Sequence, residues 1–178
     1  MKRTTPARAD SSAPPRADSG GFPRVRLLVL DVDGVLTDGR LHYGPRGEQL
    51  KVFHVRDGHG LKALAAAGVR LAVISGRKSA AVARRCRDLG IADVIQGSTD
   101  KVADFQRLIR RLKIAAAECA AIGDDTPDAP LLRCVGLAFA VADAHADARA
   151  AADHITRLGG GQGAVREVCD RLLAGRGK

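Results

Sequence analysis

The stretch Val25-Arg26-Leu27-Leu28-Val29-Leu30-Asp31-Val32-Asp33-Gly34 decides the fold. Its first six residues are nearly all apolar and bounded by polar chain, so they read as a short strand buried on both faces, the kind found in parallel sheets covered by helices. The strand runs straight into two carboxylates. Asp31 and Asp33 are two positions apart on extended chain, so their side chains emerge on the same side and can approach one site.

Outward from that strand, two polar-apolar stretches around 40–43 and 49–54 flank Gly44, Pro45, Arg46 and Gly47, whose glycines and proline form turns, and a β-hairpin flap is expected there. Strands and helices then alternate. A helix over about 58–67 closed by Gly68 is followed by a strand at 69–74 and a helix at 79–89, capped by Ser79 and ended by Gly90. Next come a strand at 93–96, a helix at 100–113, a strand at 119–122 and a helix at 127–134 with Thr126 as N-cap and Pro127 at its first position. Strands at 137–141 and 154–156, a helix of about 145–152 between them, and a last helix at 163–174 entered through the glycine-rich 159–163 complete the pattern. Such alternation predicts an α/β fold with a doubly wound, mostly parallel, Rossmann-like sheet whose ligands sit at the carboxyl ends of its strands.

Composition bounds the rest. A chain of 178 residues that is 46% apolar can build one compact core. With few aromatics, Ala, Val, Leu and Ile must supply the buried area. Cys86, Cys119, Cys134 and Cys169 lie far apart with no C-x-x-C pair and read as reduced core residues of a cytoplasmic protein. No apolar stretch is long enough to cross a bilayer, and the basic start lacks the apolar segment of a secretory signal. The net charge of +9 raises a nucleic-acid reading. Residues 1–26, however, carry six basic side chains against two acidic ones, so four of the excess charges sit in a segment rich in Ala, Pro, Ser and Gly. Residues 1–24 are expected to be a disordered basic tail, and 25–178 a single domain. The remaining excess is scattered, without stacking aromatics or a nucleic-acid motif, and an anionic small substrate accounts for it as well.

At the strand ends the residue types become informative. Two adjacent carboxylates repel, and a divalent cation that prefers oxygen ligands, such as Mg²⁺, relieves this; a solvated turn is the plain alternative. The strand at 69–74 ends in Ser75, Gly76 and Arg77, which present a hydroxyl and backbone amides, although Ser-Gly is also an ordinary loop. Lys101 falls at the second or third position of a helix beginning near Ser98 or Thr99. A cation there opposes the helix dipole, at about 0.3–1 kcal/mol, unless an anion lies beside it; the alternative is a lysine in water. The strand at 119–122 meets Gly123, Asp124, Asp125, Thr126, Pro127 and Asp128. Asp125 and Asp128 can be explained as helix-start residues, whereas Asp124 stands directly at the strand terminus.

In the order Asp-x-Asp, Ser, Lys, Gly-Asp-Asp, each at a strand end or helix start, the chain over 25–174 resembles the haloacid dehalogenase superfamily of phosphatases. It is most similar to the branch acting on 3-deoxy-D-manno-octulosonate 8-phosphate. The stretches carrying this are 31–39 (DVDGVLTDG), 53–58 (FHVRDG), 74–77 (ISGR), 123–128 (GDDTPD) and the glycine-rich entry to 163–167 (GAVRE). Gln162 departs from the pattern, where that branch usually has an arginine.

The resemblance implies a Mg²⁺-dependent phosphomonoester hydrolase supplying lipopolysaccharide precursors. Asp31 would be the nucleophile forming an aspartyl-phosphate, and Asp33 the general acid and base. Asp31, Asp124 and the backbone carbonyl of Asp33 would hold Mg²⁺, with Ser75 and Lys101 assisting at the phosphoryl group. For the acidic sugar it points to Asp33, His54, Val55, Arg56, Asp57, Gly58, Lys62, Arg77, Arg85 and Lys101. Only twenty-six positions separate Ser75 from Lys101, so no large cap domain fits. The branch assembles as a tetramer in which flaps and tails close adjacent sites, and a homotetramer is expected, with no nucleic-acid or membrane partner. Two other readings remain open at this point: a phosphatase for another acidic sugar phosphate such as a sialic acid 9-phosphate, and a receiver-like phosphoacceptor signalling domain.

Overall fold

The computed structural model describes residues 24–45 and 47–175, so the expected tail lies, but for its last residue, outside the described residues. In chain order the strands are β1 (Leu27–Leu30), β2 (His42–Gly44), β3 (Gly47–Leu50), β4 (Arg70–Ser75), β5 (Asp93–Gln96), β6 (Cys119–Gly123), β7 (Leu137–Ala140) and β8 (His154–Ile155). The helices are α1 (Val55–Ala66), α2 (Ala80–Leu89), α3 (Lys101–Leu112), α4 (Ala129–Leu132), α5 (Ala146–Ala151) and α6 (Ala164–Ala174). Six strands form one sheet in the order β5-β4-β1-β6-β7-β8, and every pairing in it is parallel.

Strand β1 lies in the middle because all four of its side chains are apolar and need cover on both faces. Leu28 and Leu30 pack with Leu61 and Leu64 of α1, Val82 and Cys86 of α2, and Val165, Val168 and Leu172 of α6. Leu27 and Val29 turn the other way, onto Phe105 and Leu108 of α3, Leu131 and Leu132 of α4, and Ala148 of α5. At about 1.5–3 kcal/mol for each large apolar side chain removed from water, these two layers hold the sheet between its helices. Cys86, Cys119 and Cys169 are buried free thiols, Cys134 is partly buried, and burial pushes Cys119 and Cys169 up to about 12, which leaves both protonated and inert.

The antiparallel β2–β3 pair is the expected flap, and with α1 it fills the chain between β1 and β4. Only α2 and β5 lie between Ser75 and Lys101, so neither gap carries a large cap.

Several boundaries differ from the sequence expectation. Helix α1 starts at Val55 rather than near 58, because the ring of His54 accepts the Arg56 amide as an N-cap. Its two internal glycines are not loop signals; they admit Arg85 and α6 closely. Helix α3 is capped by Asp100, whose carboxylate accepts the Ala103 amide at 2.9 Å, so Lys101 is its first residue. The single helix expected over 127–134 is instead a 3₁₀ turn, Thr126–Asp128, capped by Asp125 rather than Thr126, followed by α4. Pro127 and Pro130 both lack an amide donor there, and Asp128 turns back onto the preceding loop instead of continuing a helix.

Candidate active site

In the sheet, β1 is followed in sequence by β4 on one side and is paired with β6 on the other, so the connections diverge at its carboxyl end and leave a crevice there. Asp31 follows β1, Ser75 ends β4, Asp124 follows β6, and Lys101 opens α3 after β5. Four residues spread over more than ninety positions thereby meet at one edge.

Carboxylate oxygens of Asp31, Asp124 and Asp128 lie within 4.8 Å of one another. Lys101, only 9% exposed, places its Nζ 3.0 Å from Asp31 Oδ1 and 2.6 Å from Asp128 Oδ1. Asp128 is buried, and its Oδ2 accepts the amides of Asp124 at 3.1 Å and Asp125 at 3.3 Å. With both of its oxygens engaged, Asp128 braces the Gly123–Asp125 turn and holds Lys101. Nothing in the sequence pattern separated it from a helix-start aspartate. Ser75 is buried, and its Oγ accepts the Arg77 amide at 3.4 Å. The close approach of Asp124 depends on Gly34: its φ is +86°, and a Cβ there would lie 2.0 Å from Asp124 Oδ2.

The donor set suits a divalent cation. Asp124 Oδ1 is buried without a hydrogen-bond partner, Asp31 faces it, and a hard cation held by few carboxylates satisfies both. The protonation equilibria agree. Burial, and then the charge of Asp128, push Asp31 up to about 6; burial, and then the charges of Asp31 and Asp128, push Asp124 up to about 8. Burial alone would lower Lys101, but the charges of Asp31 and Asp128 outweigh it and raise its pKa, so the ammonium stays charged. Both carboxyls bind protons more tightly folded than unfolded, so without metal their contribution to stability is present in acid and is lost as the pH rises through about 6 and about 8. A cation must displace those protons. The rise in melting temperature on adding Mg²⁺ is therefore expected to be small near pH ~5 and to grow up to pH ~8.5. A Mg²⁺ shift that is the same at both ends, measured by differential scanning calorimetry, would exclude these two carboxyls as its ligands.

Asp33 is not part of the carboxylate group. Its Oδ1 accepts from Lys51 Nζ, and Arg77 Nε stands 3.6 Å from its Oδ2. Arg77 also donates to the Tyr43 hydroxyl at 3.2 Å. Lys51, which the sequence reading passed over, has a side chain only 2% exposed. A lysine next to a polar hairpin reads as solvated, and only the folding of the flap onto Asp33 buries it.

The other expected sugar contacts occupy different surroundings. Val55, Arg56 and Lys62 are exposed on α1. Arg85 lies over the Phe53 ring, 5.7 Å from its centroid, and packs against Gly58. Asp57 is 1% exposed, and its Oδ1 accepts the Arg166 amide at 2.8 Å, so it caps the first turn of α6 from 109 residues away. That contact ties α1 to α6 through Oδ1, while Oδ2 is buried without a hydrogen-bond partner; burial raises its pKa. The glycine-rich segment preceding α6 lies against the turn that follows β1, where Gly161 donates its amide to Val35 O at 3.0 Å; Gly160 donates to Asp143 Oδ1 at 2.9 Å. Gln162 is exposed on this segment.

Comparison with known proteins agrees with this geometry. A haloacid dehalogenase-like hydrolase family model matches residues 87–165. The 3-deoxy-D-manno-octulosonate 8-phosphate phosphatase KdsC of Escherichia coli K12 is 49% identical over 154 residues, covering 86% of this chain and 82% of that protein. Its counterpart in Yersinia pestis is 44% identical over the same shares. Among solved structures, the corresponding phosphatase of Moraxella catarrhalis, in complex with magnesium, phosphate and a KDO molecule, is 44% identical with a TM-score of 0.83, covering 85% of this chain and 87% of that one. The cobalt-bound deoxy-D-mannose-octulosonate 8-phosphate phosphatase of Haemophilus influenzae is 44% identical with a TM-score of 0.85, covering 87% and 91%.

Proposed function

The chain belongs to the haloacid dehalogenase-like hydrolase family, in its 3-deoxy-D-manno-octulosonate 8-phosphate phosphatase branch, and on that footing we propose that it hydrolyses this acidic sugar phosphate through an aspartyl-phosphate on Asp31. The observation that carries the reading is the meeting of Asp31, Ser75, Lys101 and Asp124 at one sheet edge, in a chain nearly half identical to phosphatases of that name.

Asp31 attacks phosphorus in line, and Asp33 delivers a proton to the departing sugar oxygen, then takes one from the water that hydrolyses the intermediate. Lys101 and the Ser75 hydroxyl hold the phosphoryl oxygens. Asp31, Asp124 and the Asp33 backbone carbonyl would hold Mg²⁺, which would supply charge neutralisation at the phosphoryl group. In this reading Arg77 takes the sugar carboxylate, which a guanidinium can meet in two parallel hydrogen bonds, and Arg85, Lys62 and the segment from His54 to Gly58 complete the sugar's surroundings. The family membership sets aside the receiver-like alternative, whose acidic pair and phosphoacceptor lie on different strands.

With no large cap in either gap, we infer that closure comes from neighbouring subunits. The exposed apolar residues Leu41, Tyr43, Leu50 and Val52 of the flap and Val55 beside it are the surface a homotetramer would cover. Among the described residues no helix is long and apolar enough to cross a membrane, and we place the enzyme in the cytoplasm, in the supply of lipopolysaccharide precursors.

The deciding experiment is phosphate release with Mg²⁺ across a panel that includes 3-deoxy-D-manno-octulosonate 8-phosphate, a sialic acid 9-phosphate and neutral sugar phosphates, with light scattering on the same preparation. The first should lead by kcat/KM, from a tetramer. Preference for the sialic acid ester would move the substrate assignment to that alternative, and a fully active monomer would remove the assembly.

A further inference from the structure

We propose that Lys51 is a positioning residue for Asp33, supplied by the flap, and that it selects which oxygen of Asp33 carries the proton. The inference rests on the acid/base role given to Asp33 above.

Three observations converge. First, Lys51 is buried to a degree lysines show only when paired, and the pairing seen is with Asp33 Oδ1. Second, Asp33 Oδ2 is buried and makes no hydrogen bond, with Arg77 Nε standing at 3.6 Å, beyond hydrogen-bond reach. Third, both sides of the hairpin lead to this one carboxyl: Lys51 directly follows β3, and Tyr43 of β2 binds Arg77, which flanks Oδ2. A carboxyl with one oxygen clamped and the other unpartnered is oriented, not merely neutralised.

The chemistry gives that orientation a use. In the first step Asp31 attacks phosphorus, the bond from phosphorus to the sugar oxygen breaks, and the proton on Asp33 Oδ2 passes to that oxygen. In the second, water attacks phosphorus, its proton passes to Oδ2, and the bond to Asp31 breaks, which restores both carboxyl groups to their starting states. Oδ1 takes no part in either transfer, and Lys51 keeps it occupied throughout. A carboxyl free to rotate would present the wrong oxygen, or lean towards the cation site as a further ligand.

Leaving-group chemistry separates this from a purely structural role. A p-nitrophenolate leaves without a proton, whereas a sugar alkoxide does not. In Lys51→Met, kcat for the sugar phosphate should fall about 100-fold with KM little changed. On p-nitrophenyl phosphate the first turnover should persist as a burst of one p-nitrophenolate per subunit, followed by slow release as the unassisted second step limits. Asp33→Asn should show the same split, and Lys51→Gln, which keeps a donor on a shorter stem, a smaller one; the glutamine variant carries the test should the methionine variant not fold.

A folded Lys51 variant with near wild-type kcat on the sugar phosphate overturns the proposal. So does loss of the burst in the Lys51 variants while Asp33→Asn retains it, since Lys51 would then serve phosphate binding or flap folding. Wild-type turnover in Asp33→Asn removes the acid/base reading itself, and the role of Lys51 with it, an outcome the Asp33 variant identifies by itself.

Discussion

Asp31→Asn is expected to lower phosphate release by roughly 10⁴-fold or more, with the fold intact. An amide cannot attack phosphorus, and no other described residue is placed to replace it: Asp128 is spent on Lys101 and two backbone amides, and Asp33 Oδ1 on Lys51. Stability should not suffer. Burial, and then the charge of Asp128, raise the pKa of Asp31, and a neutral amide of the same shape relieves both. Without metal, the variant should therefore melt no lower than the parent at pH ~8, where the parent carries the most uncompensated charge. Malachite-green phosphate detection together with a thermal melt checks both halves. Full activity would end the aspartyl-phosphate mechanism, and an unfolded variant would show that Asp31 holds Lys101 for structural reasons.

The second large effect comes from a residue with no reactive group. A Cβ at Gly160 would lie 1.7 Å from the carbonyl oxygen of Gly34 and 2.9 Å from that of Thr37. These are backbone atoms, so no side chain can swing away to relieve the clash. Gly160→Ala must push the glycine-rich segment off the turn that follows Asp31 and Asp33, or push the turn. A cost of about 1–3 kcal/mol in stability is expected, as for other overpacked sites, together with a loss of about 100-fold in kcat, because a shift near 1 Å at the reacting groups is enough for that. Circular dichroism melts and steady-state kinetics separate the two. A variant with parental kcat and melting temperature would mean that the segment is free to move, and that its packing on the 34–37 turn does not position Asp31 and Asp33.

Much of this molecule was legible in its sequence because the signals were local. The apolar run before Asp31, the alternation of strand and helix patterns, and Gly90 as a left-handed C-cap are read within a few residues. The missed features are long-range. Helix α1 begins early because a histidine caps it, and one oxygen of Asp57 caps α6 from 109 residues away. Asp128 resembled any acidic residue at a helix start until its carboxylate was found on Lys101 and on the turn before it. Lys51 resembled surface charge.

What the sequence by itself determined is the order of elements and which residue types stand at the strand ends. Strand and helix follow from the spacing of apolar side chains along a few turns or pleats, and parallel strands that alternate with helices force the residues after them to one edge. Only the tertiary structure decided how those residues are partnered: that Asp128 takes Lys101 with Asp31, that Lys51 takes one oxygen of Asp33, and that Gly160 lies against Gly34. The reason is physical. Burial and charge pairing depend on which groups share a volume from which water is excluded, and that volume is assembled from segments far apart in the chain.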